Sequence, residues 1–300
     1  MRILVTGARS FTARHLLPLL EGRGDVFGTD LDGPGIGEVR FLPADITDAG
    51  RIVEVIGEAR PDLILHLAGV SGSTPDRCMA VNLEGTRNVF RALTAMATAP
   101  RVLFVSSAAV YGRIRPEETP VKESTPTRPA GPYGESKAKA EQVARDAHSQ
   151  GLARVMIVRP FNLIGPGLPL GLAPSDFLAE IKRVQRGEGE PVIRVGNLEP
   201  RRDFVDVRDA VQAYVLLAEN PDAYGQVFNV GSGRPTAIKE LLERMITLSG
   251  VNLLVETDPS RLRDVDVPEM AAEIGAIKSV VGWFPKIALD QSLEDMIERT

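Results

Sequence analysis

Tyr133 and Lys137 stand four residues apart in GPYGESKAKAE. On a helix this spacing puts both side chains on one face, separated by about 6 Å of rise. A phenol, with an ordinary pKa of about 10, is a poor base at neutral pH. A neighbouring ammonium, helped by a nicotinamide cation, stabilises phenolate and lowers that pKa. Such a pair is suited to moving a proton to or from a sugar or alcohol oxygen. Of the four tyrosines, only Tyr133 has lysine at the fourth following place. Upstream, the buried-strand pattern RVLFV runs into SSAAVYG, where Ser107 can hydrogen-bond the same oxygen. The plainer reading of Ser107 is a turn serine at a strand end.

A second motif opens the chain. MRILVTGARSFTARHL reads as strand, tight turn and helix, the order of a dinucleotide pyrophosphate turn. Such turns usually carry three glycines; here the places hold Gly7, Ser10 and Ala13. Gly7 allows the tight turn. Ser10 is small and able to hydrogen-bond a phosphate, and Ala13 permits close helix packing. The helix start adds free N–H groups and a positive dipole end. Asp30 ends the second strand in VFGTD, where an acid accepts adenosine ribose hydroxyls and repels a 2′-phosphate. Arg9 argues the other way, since it can approach such a phosphate. NAD(H) is favoured and NADP(H) stays open. Asp45 and Ile46, past the third strand, are placed to flank adenine, although surface solvation also accounts for Asp45. Leu67, Ala68 and Gly69 follow the fourth strand and let a dinucleotide run close to the backbone.

Alternating elements must hold these residues. Strands are predicted at 2–5, 25–29, 39–42, 62–67, 101–105 and 153–158, with helices at 11–20, 80–96 and 133–149 and about Ile52–Ile56. Several strands are apolar on both faces, as in a parallel sheet covered by helices. The prediction is an α/β fold, a doubly wound parallel sheet (Rossmann fold) with a smaller α/β substrate-binding lobe. The dinucleotide domain is placed at 1–160 and the sugar-nucleotide lobe mainly at 161–300. Segments near 205–230 are expected to pack back on the first domain. After Pro160, FNLIGPGLPLGLAPSD is rich in Gly and Pro and reads as irregular. Helices are predicted at 175–186, 207–219, 238–249 and 289–299, and short strands at 191–195, 227–230 and 253–256.

Composition narrows the class. The 300 residues are 43% hydrophobic and 25% charged, ordinary for a globular chain with a sizeable core. The net charge of −5 without a long basic run argues against nucleic acid or anionic membrane as partner. Cys78 is the single cysteine, so no intramolecular disulfide is available and a reducing cytoplasm is expected. No apolar run reaches the roughly 18 residues of a membrane span, and MRILVTG reads as strand and turn, not as a secretory leader. His15, His66 and His148 lack metal-ligand spacing, so no metal site is expected. A nucleophile elbow and a P-loop are both absent.

Taken together, TGARSF, Asp30, HLAG, VNLEGTRNV, VSSAAVYG, YGESK and RPFNLIGP resemble the extended short-chain dehydrogenase/reductase family, whose members act on nucleotide-activated sugars. The resemblance spans essentially the whole chain. It implies a catalytic trio of Ser107, Tyr133 and Lys137. Tyr133 and Lys137 would also touch the cofactor, with Phe11, Thr12 and Pro160. Asn82 matches the family's asparagine that organises the central helix; a helix-surface role is the alternative. FNLIGPG, SDFLAEIKR, EPVIRVGNLEPRRDFVDVRD, VFNVGSG and RLRDVDVP are especially similar to the family's GDP-4-keto-6-deoxy-mannose reductases. By that likeness Asn162 and Arg202 would hold the sugar nucleotide's diphosphate, with Arg263 and Asp266 on phosphate or ribose and Val195 near the base. A surface ion pair with Asp203 or Asp206 is the alternative for Arg202. Those reductases often carry a basic residue after the second strand and use NADPH, whereas TDLDG places acids there. The Asp–Glu pair of the family's dehydratases is replaced by Ala108 and Ala109, which removes the groups needed to eliminate water. The expected activity is NAD(P)H-dependent reduction of a C4 keto group. An NAD-dependent 4-epimerase is the alternative, and a non-catalytic dinucleotide-binding protein the third reading. Family likeness implies a homodimer through the 80–96 and 133–149 helices.

Overall fold

The structure is a computed structural model that describes residues 1–33, 37–261 and 267–299. The chain begins β1 (Arg2–Thr6), α1 (Phe11–Leu16), β2 (Asp25–Thr29), β3 (Arg40–Phe41) and α2 (Ala49–Ala59). Next come β4 (Leu63–His66), α3 (Pro75–Cys78), a π-helical turn at Met79–Glu84 and α4 (Gly85–Ala92). β5 (Arg101–Val105), α5 (Pro132–Ser149), β6 (Arg154–Pro160) and β7 (Asn162–Ile164) follow. The remainder is α6 (Ala173–Gln185), β8 (Val192–Val195), β9 (Arg201–Asp206), α7 (Val207–Glu219) and β10 (Val227–Val230). After these come β11 (Pro235–Ala237), α8 (Ile238–Ser249), β12 (Leu254–Thr257), β13 (Glu269–Met270), α9 (Gly275–Val281) and α10 (Leu289–Glu298).

Seven strands form one sheet in the order β10-β6-β5-β4-β1-β2-β3, with every neighbouring pair parallel. The apolar strands show why. Ile3, Val5, Leu65, Leu103 and Met156 pack with Ala13 and Leu16 of α1 and Ala210 and Tyr214 of α7. Leu4, Ile64, Val102, Phe104 and Val155 face the other way, onto Ile52 of α2, Phe90 of α4 and Ala140 of α5. Burial on both faces suits a parallel sheet clothed in helices. The chain runs from β1 outward to β3, then returns across β1 to β4 and runs the other way. This reversal between β1 and β4 is the switch point where doubly wound folds bind ligands. Smaller pieces lie apart from this sheet: β11, β9 and β13 with β7 on β9, and a β8–β12 pair. Their core holds Ile164, Phe177, Ile193, Phe204 and Met245.

Several elements differ from the sequence pattern. The 11–20 helix stops at Leu16 and tightens to a 3₁₀ turn over Leu17–Leu20, because Pro18 has no N–H to continue the ladder. The 80–96 helix starts earlier, at Pro75, with Thr74 as its cap, and its first turns widen into the π-helical stretch. The 39–42 strand shrinks to two residues. β7, β9, β11, β13 and α9 were not predicted; β9 lay inside a segment read only as a binding motif. No described helix is long and apolar enough to cross a membrane, and no group of three or more metal-ligand side chains is found among the described residues.

Candidate active site

A cleft of about 310 Å³ opens at the switch point, lined by Gly7, Arg9, Ser10, Asp30, Asp45, Ile46, Leu67, Ala68 and Gly69 among others. Gly7 has φ +67°, and a Cβ there would stand 2.8 Å from the backbone of Ala68. This place therefore needs glycine. The other two do not. Ser10 has an ordinary extended backbone (φ −63°, ψ 160°) and caps α1, its Oγ accepting from the Ala13 N–H at 3.2 Å. Its acceptor is thus used within the helix, which leaves the hydroxyl hydrogen for an anion. Ala13 is fully buried where helix meets sheet.

Asp30 and Arg9 meet at the outer end of the cleft. The Asp30 carboxylate accepts the Arg9 N–H at 3.0 Å and the Leu31 N–H at 2.8 Å, one on each oxygen. Each oxygen keeps a lone pair for a ribose hydroxyl. The Arg9 guanidinium lies over the Phe41 ring, 4.6 Å from its centroid, and against Gly33. Asp45 accepts from the Thr47 N–H at 2.9 Å and the Thr47 hydroxyl at 2.8 Å. These bonds, with a smaller contribution from Arg77, hold its carboxyl below the usual range. Thr6, Thr29, Leu31, Ala44, Ile52, Val70, Arg77 and Val81 complete the lining. Sequence reasoning missed them, and Arg77 gave no signal because its short helix was not predicted. Phe11, Thr12 and Pro160 lie outside this lining; Pro160 is buried at the end of β6, in register with Val230. The tight Gly7 turn, the acceptor at Asp30 and the small Ala68–Gly69 wall fit a dinucleotide.

The inner end of the cleft, at Gly69, meets Lys137, the residue that the sequence pairs with Tyr133. Gly131, with φ +97°, precedes Pro132 at the start of α5 and sets Tyr133 in its first turn, one turn before Lys137. Ser107 follows β5; its Oγ accepts the Ala109 N–H at 3.1 Å, and it faces the Tyr133 phenol closely enough to oppose the rise of its pKa. Lys137 is 3% exposed and donates from Nζ to the Val105 carbonyl at 2.9 Å. A Cβ on Gly69 would stand 2.9 Å from Lys137 Nζ and 3.0 Å from Asn82 Oδ1. Gly69 thus joins the cleft to Lys137 and Asn82. Asn82 is fully buried, so the helix-surface reading of it fails. Its Oδ1 accepts from Val70 N at 2.8 Å, and its Nδ2 donates to Val70 O at 3.0 Å and to Ser136 Oγ at 2.8 Å. Ser136 donates on to the Tyr133 carbonyl at 2.8 Å. The wall of the cleft is thereby pinned to the first turn of α5.

Burial dominates the electrostatics here. It pushes the Tyr133 phenol up, with Ser107 opposing. It also draws Lys137 down to about 8, with Glu141 opposing. The expected lowering of Tyr133 by Lys137 is not expressed in the protein alone. The lysine donates to the Val105 carbonyl, and desolvation outweighs the remaining interactions of the phenol.

Asn162 and Arg202 come from paired strands, β7 and β9, in which Asn162 is in register with Phe204. Asn162 is exposed and donates from Nδ2 to the Asp203 carbonyl at 2.9 Å. Arg202 donates from Nη1 to the Val267 carbonyl at 2.7 Å. The two acids considered as its partners are committed elsewhere. Asp203 accepts from the backbone of Ser232, Gly233 and Ala272, and Asp206 from Arg208 and Ser292. Val195 is 3% exposed, so its side chain belongs to the core with Phe177 and Phe204. Arg263 and Asp266 lie outside the described residues.

Residues 3–231 match the model of the NAD dependent epimerase/dehydratase family. The chain belongs to that family. Membership makes it an extended short-chain dehydrogenase/reductase, an enzyme of nucleotide-sugar chemistry of the reductase or epimerase type. This family member is 30% identical over 305 residues to the GDP-6-deoxy-D-mannose reductase of Pseudomonas aeruginosa, covering 99% of this chain and 96% of that one. It is also 30% identical over 310 residues to the UDP-glucose 4-epimerase of Azospirillum brasilense, covering 95% of this chain and 87% of that one. Its fold superposes with a TM-score of 0.86 on the structure of RMD from Pseudomonas aeruginosa complexed with NADPH, at 28% identity over 99% of this chain and 98% of the other.

Proposed function

We propose that this enzyme reduces the C4 keto group of a nucleotide-linked 4-keto-6-deoxy sugar, with GDP-4-keto-6-deoxy-mannose as substrate. One observation carries the reading: Tyr133 and Lys137 stand one turn apart on α5, with Lys137 against Gly69 at the inner end of the dinucleotide cleft. Such a pair can deliver a proton to a carbonyl oxygen beside the cofactor. Similarity to a GDP-6-deoxy-D-mannose reductase over nearly the full length supports the choice of sugar.

When bound, the nicotinamide supplies hydride to C4 of the sugar. Ser107 would hydrogen-bond the C4 oxygen and polarise the carbonyl, and Tyr133 would protonate that oxygen as charge develops on it. Lys137, beside Gly69, would hold the nicotinamide ribose and favour the phenolate left after transfer. Asn162 and Arg202 would hold the diphosphate, with Arg202 contributing the charge. The cofactor side has Asp30 for a ribose and Arg9 beside it, so NADH is favoured and NADPH accommodated if Arg9 leaves Phe41. Ala108 and Ala109 provide no acid–base pair for dehydration. We place the sugar nucleotide against the smaller sheets of residues 161–300 and the dinucleotide on residues 1–160. The enzyme would act in the cytoplasm as a homodimer joined through α4 and α5; sedimentation at micromolar concentration showing only monomer would remove the dimer.

The second reading, an NAD-dependent 4-epimerase, is favoured by the ribose acceptor Asp30 and by the same 30% identity to a UDP-glucose 4-epimerase. The two separate on cofactor retention. Protein purified in cofactor-free buffer and then denatured should release little dinucleotide if it is an exchanging reductase. One NAD released per chain would support the epimerase instead.

A further inference from the structure

A buried ionic cluster lies directly behind the catalytic residues. Glu141 sits on α5 one turn beyond Lys137 and is 3% exposed. Its Oε1 accepts from the Ser106 hydroxyl at 2.5 Å and from Arg159 Nε at 2.9 Å, and its Oε2 from Arg159 Nη2 at 2.7 Å. Ser106 and Arg159 are each 2% exposed. The three come from different elements. Ser106 directly precedes Ser107, Arg159 ends β6 beside Pro160, and Glu141 shares its helix with Tyr133 and Lys137. Ser106 is also fixed by its backbone, its N–H donating to the Val158 carbonyl at 2.8 Å. Arg159 in turn lies 4.7 Å over the Tyr111 ring, and Tyr111 donates to Asn229 Oδ1 at 2.6 Å. A bidentate, fully desolvated pair with a third donor has one geometry and tolerates little displacement.

We propose that Glu141 is a positioning residue of the active site, fastening the strand end that carries Ser107 to the helix that carries Tyr133 and Lys137. The inference rests on the proton-transfer roles given above to those three residues. Its carboxylate has a second effect through charge. Lys137 is buried with few charged neighbours: Glu141 from its own helix and His66 from β4, which burial and Lys137 hold neutral at about 3. The Phe104 ring of β5, 5.4 Å from Nζ, and the uncharged Asn82 of the π-helical turn are the other groups facing it. Glu141 itself faces Arg159 from β6 and, at 3.6 Å, Arg145 on its own helix. Glu141 is therefore the anion that opposes desolvation of the Lys137 ammonium.

Full-length protein labelled with ¹³C at lysine Cε reads the Lys137 titration directly, with the resonance assigned by its loss in Lys137→Arg. Glu141→Gln should lower the midpoint by about one pH unit, whereas Ser106→Ala should leave it in place. Ser106→Ala keeps every charge and removes only the tie to the Ser107 strand. It should reduce kcat for NADH-dependent turnover of GDP-4-keto-6-deoxy-mannose by about tenfold or more at an unchanged dinucleotide KM. An unmoved midpoint in folded Glu141→Gln, or full kcat in Ser106→Ala, would overturn the proposal. If Glu141→Gln does not fold, Glu141→Asp replaces it. The shorter acid should hold the midpoint near the wild-type value while kcat falls, and wild-type kcat would overturn the proposal. Failure of the underlying reading is separate: it shows as full turnover by Tyr133→Phe.

Discussion

At the scale of single residues, the proposed chemistry rests on Tyr133 being a half-buried phenol and Lys137 a buried cation one turn along the same helix. Tyr133→Phe should lower kcat by about 10²- to 10⁴-fold while dinucleotide binding, measured by fluorescence titration, is retained. Full turnover in that variant would remove Tyr133 from the chemistry. Lys137 carries its proton below about 8 and loses it above. The rate should therefore fall as pH rises through that value, as measured by kcat/KM across pH 6 to 10. An alkaline limb still flat at pH 10 would exclude the ammonium from the mechanism. The lysine and tyrosine were legible because their spacing has a geometric meaning on a helix. Their relation was only partly legible. Which carbonyl the lysine would bond, and how deeply the phenol would be buried, depend on where β5 ends, which spacing along the chain does not encode.

At the scale of elements, the Gly7 turn shows how a fingerprint with one glycine keeps its tight geometry. Gly7 alone has a backbone that side chains resist, and Ser10 contributes a cap. Gly7→Ala should raise the dinucleotide Kd by about tenfold or more, since a 1.4 kcal/mol strain already does so. Ser10→Gly should cost only a few tenths of a kcal/mol and Ser10→Ala about 1 kcal/mol, measured by urea unfolding. Equal cofactor affinity in Gly7→Ala and wild type would contradict this division. The strands of the main sheet were readable because they are apolar on both faces. β9 was not, because its RRDFVD alternates charge with apolar residues in a segment already claimed as a binding motif. The π-helical turn that carries Asn82 was equally hidden: its residues look like ordinary helix, and neither its widened backbone nor the bonds from Asn82 to Val70 and Ser136 can be read from spacing.

At the scale of the whole molecule, two buried titratable groups near the site lower stability for the sake of geometry. His66 is fully buried between Thr6 and Thr86 and is held neutral down to about 3, against an ordinary 6.5. Between these values the unfolded chain binds a proton that the folded chain refuses, so stability falls as pH falls through that window. Replacing His66 with Asn should flatten this part of the urea-unfolding profile; an equal slope would place the acid sensitivity elsewhere. Lys137 works from the other side. Its value of about 8 lies below the ordinary 10.5, so the unfolded chain again binds more protons and wild-type stability rises from pH 8 to 10.5. Lys137→Met should be inactive yet more stable at pH 7, with the advantage shrinking as pH approaches 10.5. Such a trade between stability and activity is expected of a buried cation kept for the proposed proton transfer. The reaction itself is tested most directly by following the transferred hydrogen. Wild-type enzyme given GDP-4-keto-6-deoxy-mannose and NADH deuterated at the transferable position should yield one oxidised cofactor per product, with deuterium at C4 of the new GDP-6-deoxy sugar. Interconversion of UDP-sugars with no net cofactor oxidation, and no deuterium entering the GDP-sugar, would contradict the reductase and leave the epimerase.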